Sequence, residues 1–198
     1  MSLKWSESRI RAEREIMAEE LDQFKFYKSG NESYFEGWHT TTTSHMEFLL
    51  KLPLPKGYPE IVPSLYIIYP LTLRKYGGGT INAIGITHSF HTLGNGPGGC
   101  VQICHFGSGH WDASKTCIGV LFKGMLWCEA YAVHLRTGMD ISEILENWKR
   151  RKTSWEKKEI GLNDLLARWP GEKTLETSWG TIAGPKPFDP APWLTPTT

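Results

Sequence analysis

Apolar residues recur along this chain with two different periods, and the change of period divides it into segments. From Ser6 to about Tyr27, Ile10, Met17, Leu21 and Phe24 fall on one helical stripe, while Arg9, Arg11, Glu13 and Glu19 occupy other faces, which predicts an amphipathic helix opened by Ser6 and Glu7. "KSGNES" breaks it with turn-forming Gly30 and Asn31. "YFEGWHTTTTSHMEFLLKLPL" then turns to Thr, aromatic and alternating residues, predicting a hairpin that turns near Thr42 to His45. "PKGYPEIVP" cannot hold a helix because Pro55, Pro59 and Pro63 each remove a donor. "SLYIIYPL" is a third strand stopped by Pro70, and Thr80 to Phe90 offers a fourth between Gly-rich connections.

Helical spacing returns after the cysteines. Ile118, Leu121, Phe122, Met125, Cys128, Ala132 and Leu135 share a face that ends at Gly138, a natural residue just past a helix. Asp140 with Glu143 resembles a capping box, and Ile141, Ile144, Leu145 and Trp148 carry a second amphipathic helix, followed by the basic run 149–152. A short helix is expected at about Gly161 to Arg168, and the Pro-rich segment after it reads as extended. Strands and helices are segregated, so the class is α+β, with one domain over 1–168 and a tail over 169–198.

Charge changes this picture little. Lys and Arg number 22 against 21 Asp and Glu, giving no global footprint for nucleic acid or an anionic membrane. No apolar run is long enough to span a bilayer, which leads us to expect a cytoplasmic protein whose cysteines are thiols.

Candidate chemistry concentrates in "GGCVQICHFGSGHW", residues 98–111, with two of the four cysteines and two histidines. Cys100, Cys104, His105, His110 and Cys117 are zinc-ligand types, but C-x₃-C-H lacks the second spaced pair of a structural site, and we expect neither metal nor cofactor. Cys117 and Cys128 sit on the strong helix and read as small core residues, Cys100 as loop packing. Cys104, between a glycine-rich approach and the loop before the helix, is open between a working thiol and a structural one. His91 reads equally as a loop histidine bonded to backbone. Asp112 and Ser114 are N-cap candidates for the following helix.

The order of these pieces resembles the ubiquitin-conjugating enzyme family, in particular its divergent bacterial branch encoded beside ubiquitin-like proteins. A helix is followed by "HMEFLLKLPLPKGYPEIVPSLYIIYP", then "THSFH", then "ICHFGSGHWDAS" and a long helix, and "WCEAY…HLRTG" (Trp127 to Gly138) is similar to that branch's Trp…Tyr…Gly pattern; the likeness covers about residues 6–148. It implies a conjugating-enzyme-like fold, with Cys104 as the thioester-forming cysteine and Trp111 as the loop tryptophan that opens the helix. The family's His-Pro-Asn triplet is missing. "HSFHTLGN" offers His91 and a displaced Asn95 instead, with His105, His110, Asp112 and Ser114 as further candidates around the thiol.

The activity implied is acyl transfer: Cys104 accepts a ubiquitin-like protein from an activating enzyme and passes it to an acceptor amine. The resemblance also implies docking of the activating enzyme on the N-terminal helix around Arg9, Arg11 and Arg14, a deconjugating protease from the same operon as a further partner, and a setting in antiphage defence. The alternative is a non-catalytic variant of the same fold that binds a ubiquitin-like protein or an assembly partner.

Overall fold

The computed structural model describes residues 3–107 and 109–156. The expected helix at 161–168 and the tail at 169–198 lie outside them. Helix α1 spans Leu3–Glu20; strands β1 (Phe24–Ser29), β2 (Glu32–Thr40), β3 (Glu47–Leu54) and β4 (Leu65–Tyr69) follow. Short strands β5 (Ile86–Thr87), β6 (Thr92–Asn95) and β7 (Val101–Ile103) precede helices α2 (Cys117–Thr137) and α3 (Ile141–Glu156). Among the described residues the strands form one antiparallel sheet in the order β1-β2-β3-β4-β7-β6-β5. The architecture is α+β: a helix, an antiparallel sheet, then helices.

The period-two pattern sets the sheet's inner face. Phe48, Leu50 and Leu52 of β3 are fully buried, with Leu50 registered beside Ile67 and Leu52 beside Phe35. Each such side chain contributes about 1.5–3 kcal/mol of transfer free energy. α2 covers this face. A Cβ on Gly124 would lie 2.6 Å from Leu65 Cδ2 and 2.7 Å from Leu50 Cδ2, so its missing side chain lets the helix approach the strands. Gly138, at φ 76°, ends α2 in the left-handed conformation, its N–H donating to the His134 carbonyl at 2.8 Å.

Four expectations need correcting. The first helix does not run to Tyr27: it ends at Glu20, and Phe24 opens β1 opposite Gly37. A single buried apolar residue satisfies either period, and pairing with β2 decided the matter. The strand expected over Thr80 to Phe90 is a 3₁₀ turn (Ile81–Ala83) followed by the two residues of β5. Asn82 explains the turn, because its side chain accepts from the Leu73 N–H and donates to the carbonyls of Leu71 and Gly99, each at 2.9 Å. The "GNGPGG" stretch is not a plain connection: Gly94 and Asn95 end β6, and Gly96 to Gly99 make the hairpin turn to β7, with Gly98 and Gly99 at φ 70° and 82°. The basic run 149–152 belongs to α3.

Candidate active site

Cys104 is the residue immediately after β7. Its N–H donates to the His91 carbonyl at 2.7 Å, extending the Thr92–Ile103 pairing by one rung. His91 turns that carbonyl toward the thiol's residue by adopting φ 49°, a conformation costly for a non-glycine residue, and its own N–H donates to the His88 carbonyl. Of the four cysteines only Cys104 is partly exposed; Cys100, Cys117 and Cys128 are buried. The Cys100 thiol donates to the Pro97 carbonyl at 3.0 Å, as a packing residue would. Burial pushes all four thiols up, and at Cys104 the charge of Lys123 acts in the opposite direction.

Beyond Cys104 the chain crosses to α2 in a loop pinned at its near end by aromatic packing. The Trp111 indole N–H donates to the Pro59 carbonyl at 2.7 Å, and the ring meets Phe106 edge-on with centroids 5.2 Å apart. Trp111 therefore lies in the loop, ahead of the helix, and does not open it. His105 is buried, hydrogen-bonded to the Pro63 carbonyl and pushed down to about 4 by burial, with Lys123 adding to the shift.

Lys123, on α2, is the functional candidate that periodicity passes over. It is 4% exposed, its Nζ donates to the His105 carbonyl, and the same nitrogen stands 3.2 Å from the centroid of the Phe106 ring. Burial pushes this amine down to about 6; Cys104 works against that shift and Lys115 adds to it. A lysine inside the apolar run "GVLFKGMLWC" was a weak signal, because a long charged side chain on a helix reads as solvent-facing until its partner is known.

The far end of the loop is held by α1. The buried Glu13 carboxylate accepts from the Cys117 N–H at 2.9 Å, from Arg9 Nε at 2.8 Å and from the Tyr58 hydroxyl. It thereby caps α2 from another element, and the Thr116 N-cap makes no side-chain cap bond of its own. Arg9 also donates to the carbonyls of Ala113 and Lys115. Of the three arginines on α1, Arg9 is thus committed to the fold and Arg14 lies over Phe26, leaving Arg11 largely exposed beside Glu15.

Other sequence candidates lie apart from the thiol. The Asn95 amide donates to the Asn82 carbonyl at 3.0 Å, and its position on β6 is paired with Val101, about 10 Å along the sheet from Cys104 at strand rise. The His91 ring faces His88, centroids 4.9 Å apart, and burial pushes it down to about 4. Asp112 and Ser114 do not cap α2. The Asp112 carboxylate accepts from the Ser114 N–H at 2.8 Å and from its hydroxyl, closing a turn ahead of Thr116, and these bonds hold it below the usual carboxylate range. The His110 N–H donates to the Gly107 carbonyl, closing the tip of the loop.

Among the described residues no three His, Cys, Asp or Glu side chains gather as metal ligands, and no helix is long and apolar enough to cross a membrane. The geometry gathers one half-exposed thiol, one buried amine and a braced loop. Compared with protein-family models, with curated proteins and with solved structures, the chain matches none.

Proposed function

We propose that the protein is a ubiquitin-conjugating-enzyme-like acyltransferase whose Cys104 accepts the C-terminal acyl group of a ubiquitin-like protein and passes it to an amine. One observation carries the reading: Cys104 alone among the cysteines is partly exposed, and it stands where a strand ends and a braced loop leads to the long helix. The element order, helix then antiparallel sheet then helices, is compatible with the conjugating-enzyme fold that the sequence resembles. Thiol–thioester exchange is near energetic balance, so the protein's task is positioning and supply of thiolate. The acceptor amine then attacks the thioester, a step that needs a donor for the oxyanion.

The activating enzyme and the ubiquitin-like protein are the partners this function requires. Mixing the protein with both and ATP should give a reductant-sensitive adduct that vanishes in Cys104→Ala and survives Cys100→Ala. One observation favours the second reading, a non-catalytic variant of the same fold: Asn95, the displaced counterpart of the family's oxyanion-ordering Asn, has its amide committed to Asn82. Sound folding and partner binding with no adduct would favour that reading.

A further inference from the structure

We infer that segment 185–196 docks on the outer face of the sheet of its own chain, as an amphipathic polyproline helix laid across two aromatic pairs. Helices α1 and α2 pack on the inner side, where Met17, Leu21, Ile118 and Leu121 join Leu50 and Leu52 in one core, and α3 packs on α2. The outer side carries rings instead. Trp38 of β2 is registered beside Leu49 of β3, and Leu49 beside Tyr69 of β4; the Trp38 and Tyr69 rings meet edge-on with centroids 5.4 Å apart, 48% and 51% exposed. Four residues back along β2, about 14 Å at strand rise, Tyr34 stacks on Tyr27 of β1, also at 5.4 Å, and Tyr27 is 44% exposed. Phe35 and Gly37, which alternate with these positions on β2, are buried, so both pairs share one face. Aromatic pairs left half in water on one face mark an interaction surface.

The sequence beyond α3 supplies the occupant. Polyproline II repeats every three residues. At that period Pro187, Pro190, Trp193 and Pro196 fall on one edge and Pro185, Phe188, Ala191 and Leu194 on a second, while the third takes Lys186 and Asp189 with Pro192 and Thr195. Two edges are apolar, and both charges of the segment share the third. Five of the twelve residues are prolines, which fix φ at the value this helix needs. Pro-rich segments are held elsewhere in grooves lined by aromatic side chains, because the preformed helix loses little entropy on docking. At about 3.1 Å per residue, Pro187 to Leu194 covers roughly 22 Å, enough to cross from one aromatic pair to the other. Two other exposed apolar groups, Ile61 with Val62 and Ile86 with Leu93, are aliphatic and offer the prolines no ring. Reach is ample: α3 ends at Glu156, and residues 157–184 can extend to roughly 90 Å at about 3.3 Å per residue, several times the radius of gyration of about 15 Å for a domain of this size. The tether also favours the segment's own sheet over one on another molecule in dilute solution.

The test is photo-crosslinking of the full chain in dilute solution, with p-benzoylphenylalanine in place of Thr40, which is exposed on the same face of β2 as Trp38. Irradiation should join position 40 to a peptide from 185–196, in a product of monomer mass. The cross-link should be lost when Pro187→Gly and Pro190→Gly are combined, a change that touches no residue of the sheet, and lost again in Trp38→Ala. No cross-link to 185–196 would overturn the proposal. So would an equal yield in the double proline variant, which would make the contact a matter of tether length alone. A cross-link to 185–196 found only in a product of dimer mass would overturn it as well, because the occupant would then be the segment of a second copy.

Discussion

The Glu13 carboxylate on α1 accepts the N–H of Cys117, the first residue of α2, at 2.9 Å. Those residues are 104 positions apart, and the same carboxylate gathers Arg9 and the Tyr58 hydroxyl. Removing it strands three buried or half-buried donors at once. Glu13→Ala is expected to lose about 3–5 kcal/mol of unfolding free energy in urea, the cost of breaking a buried charged pair from one side. Glu13→Gln keeps an acceptor for the Cys117 N–H and should lose less. A Glu13→Ala variant as stable as the unaltered protein would contradict the role given to this residue.

Asn95 is held as a structural residue by its bond to the Asn82 carbonyl. Asn95→Ala should therefore cost about 1 kcal/mol or less and leave the yield of the Cys104 adduct unchanged. Asn82→Ala, which frees the Leu73 N–H and the carbonyls of Leu71 and Gly99, should cost about 1–3 kcal/mol. Urea denaturation and the charging reaction check both, and loss of adduct in a folded Asn95→Ala would return Asn95 to the active site.

Stability should fall with pH in a window set by buried His105. Its value in the fold is about 4 against 6.5 for the free side chain, so between these the unfolded chain binds more protons than the fold. The stabilisation is fully present above 6.5 and is lost as the pH falls through about 4. His91 acts in the same sense, with a weaker effect because its ring is less buried. Urea midpoints across this window should decline less steeply in His105→Gln than in the unaltered protein; parallel slopes would contradict the assignment.

Much of this framework was legible in the sequence because it rests on repetition. α2, its Gly138 stop, α3, the β2–β3 hairpin and β4 all carry several residues at one period. β7 was not legible: Val101–Ile103 is too short for any period to register among glycines and cysteines. Glu13 and Lys123 escaped notice for another reason. A charged residue on a helix reads as a solvated face unless its partner is known, and these partners lie far away in the chain, 45 residues from Glu13 to Tyr58 and 18 from Lys123 to His105. On its residues alone Cys104 stayed open between a working thiol and a structural one, and its role came from the family resemblance. Where the sequence was read by likeness, Trp111 shows the gain and the limit: it marks the loop, but its indole fastens that loop to Pro59 and not to the start of α2.

The central claim is that the Cys104 sulfur carries the acyl group, and replacing that sulfur by oxygen tests it most directly. Cys104→Ser, incubated with the activating enzyme, the ubiquitin-like protein and ATP, should accumulate a one-to-one adduct by intact mass. That adduct should withstand reductant yet be cleaved by hydroxide, as an oxygen ester is, and should map to position 104. A folded Cys104→Ser variant that forms the same reductant-sensitive adduct as the unaltered protein would place the chemistry on another cysteine and contradict the account.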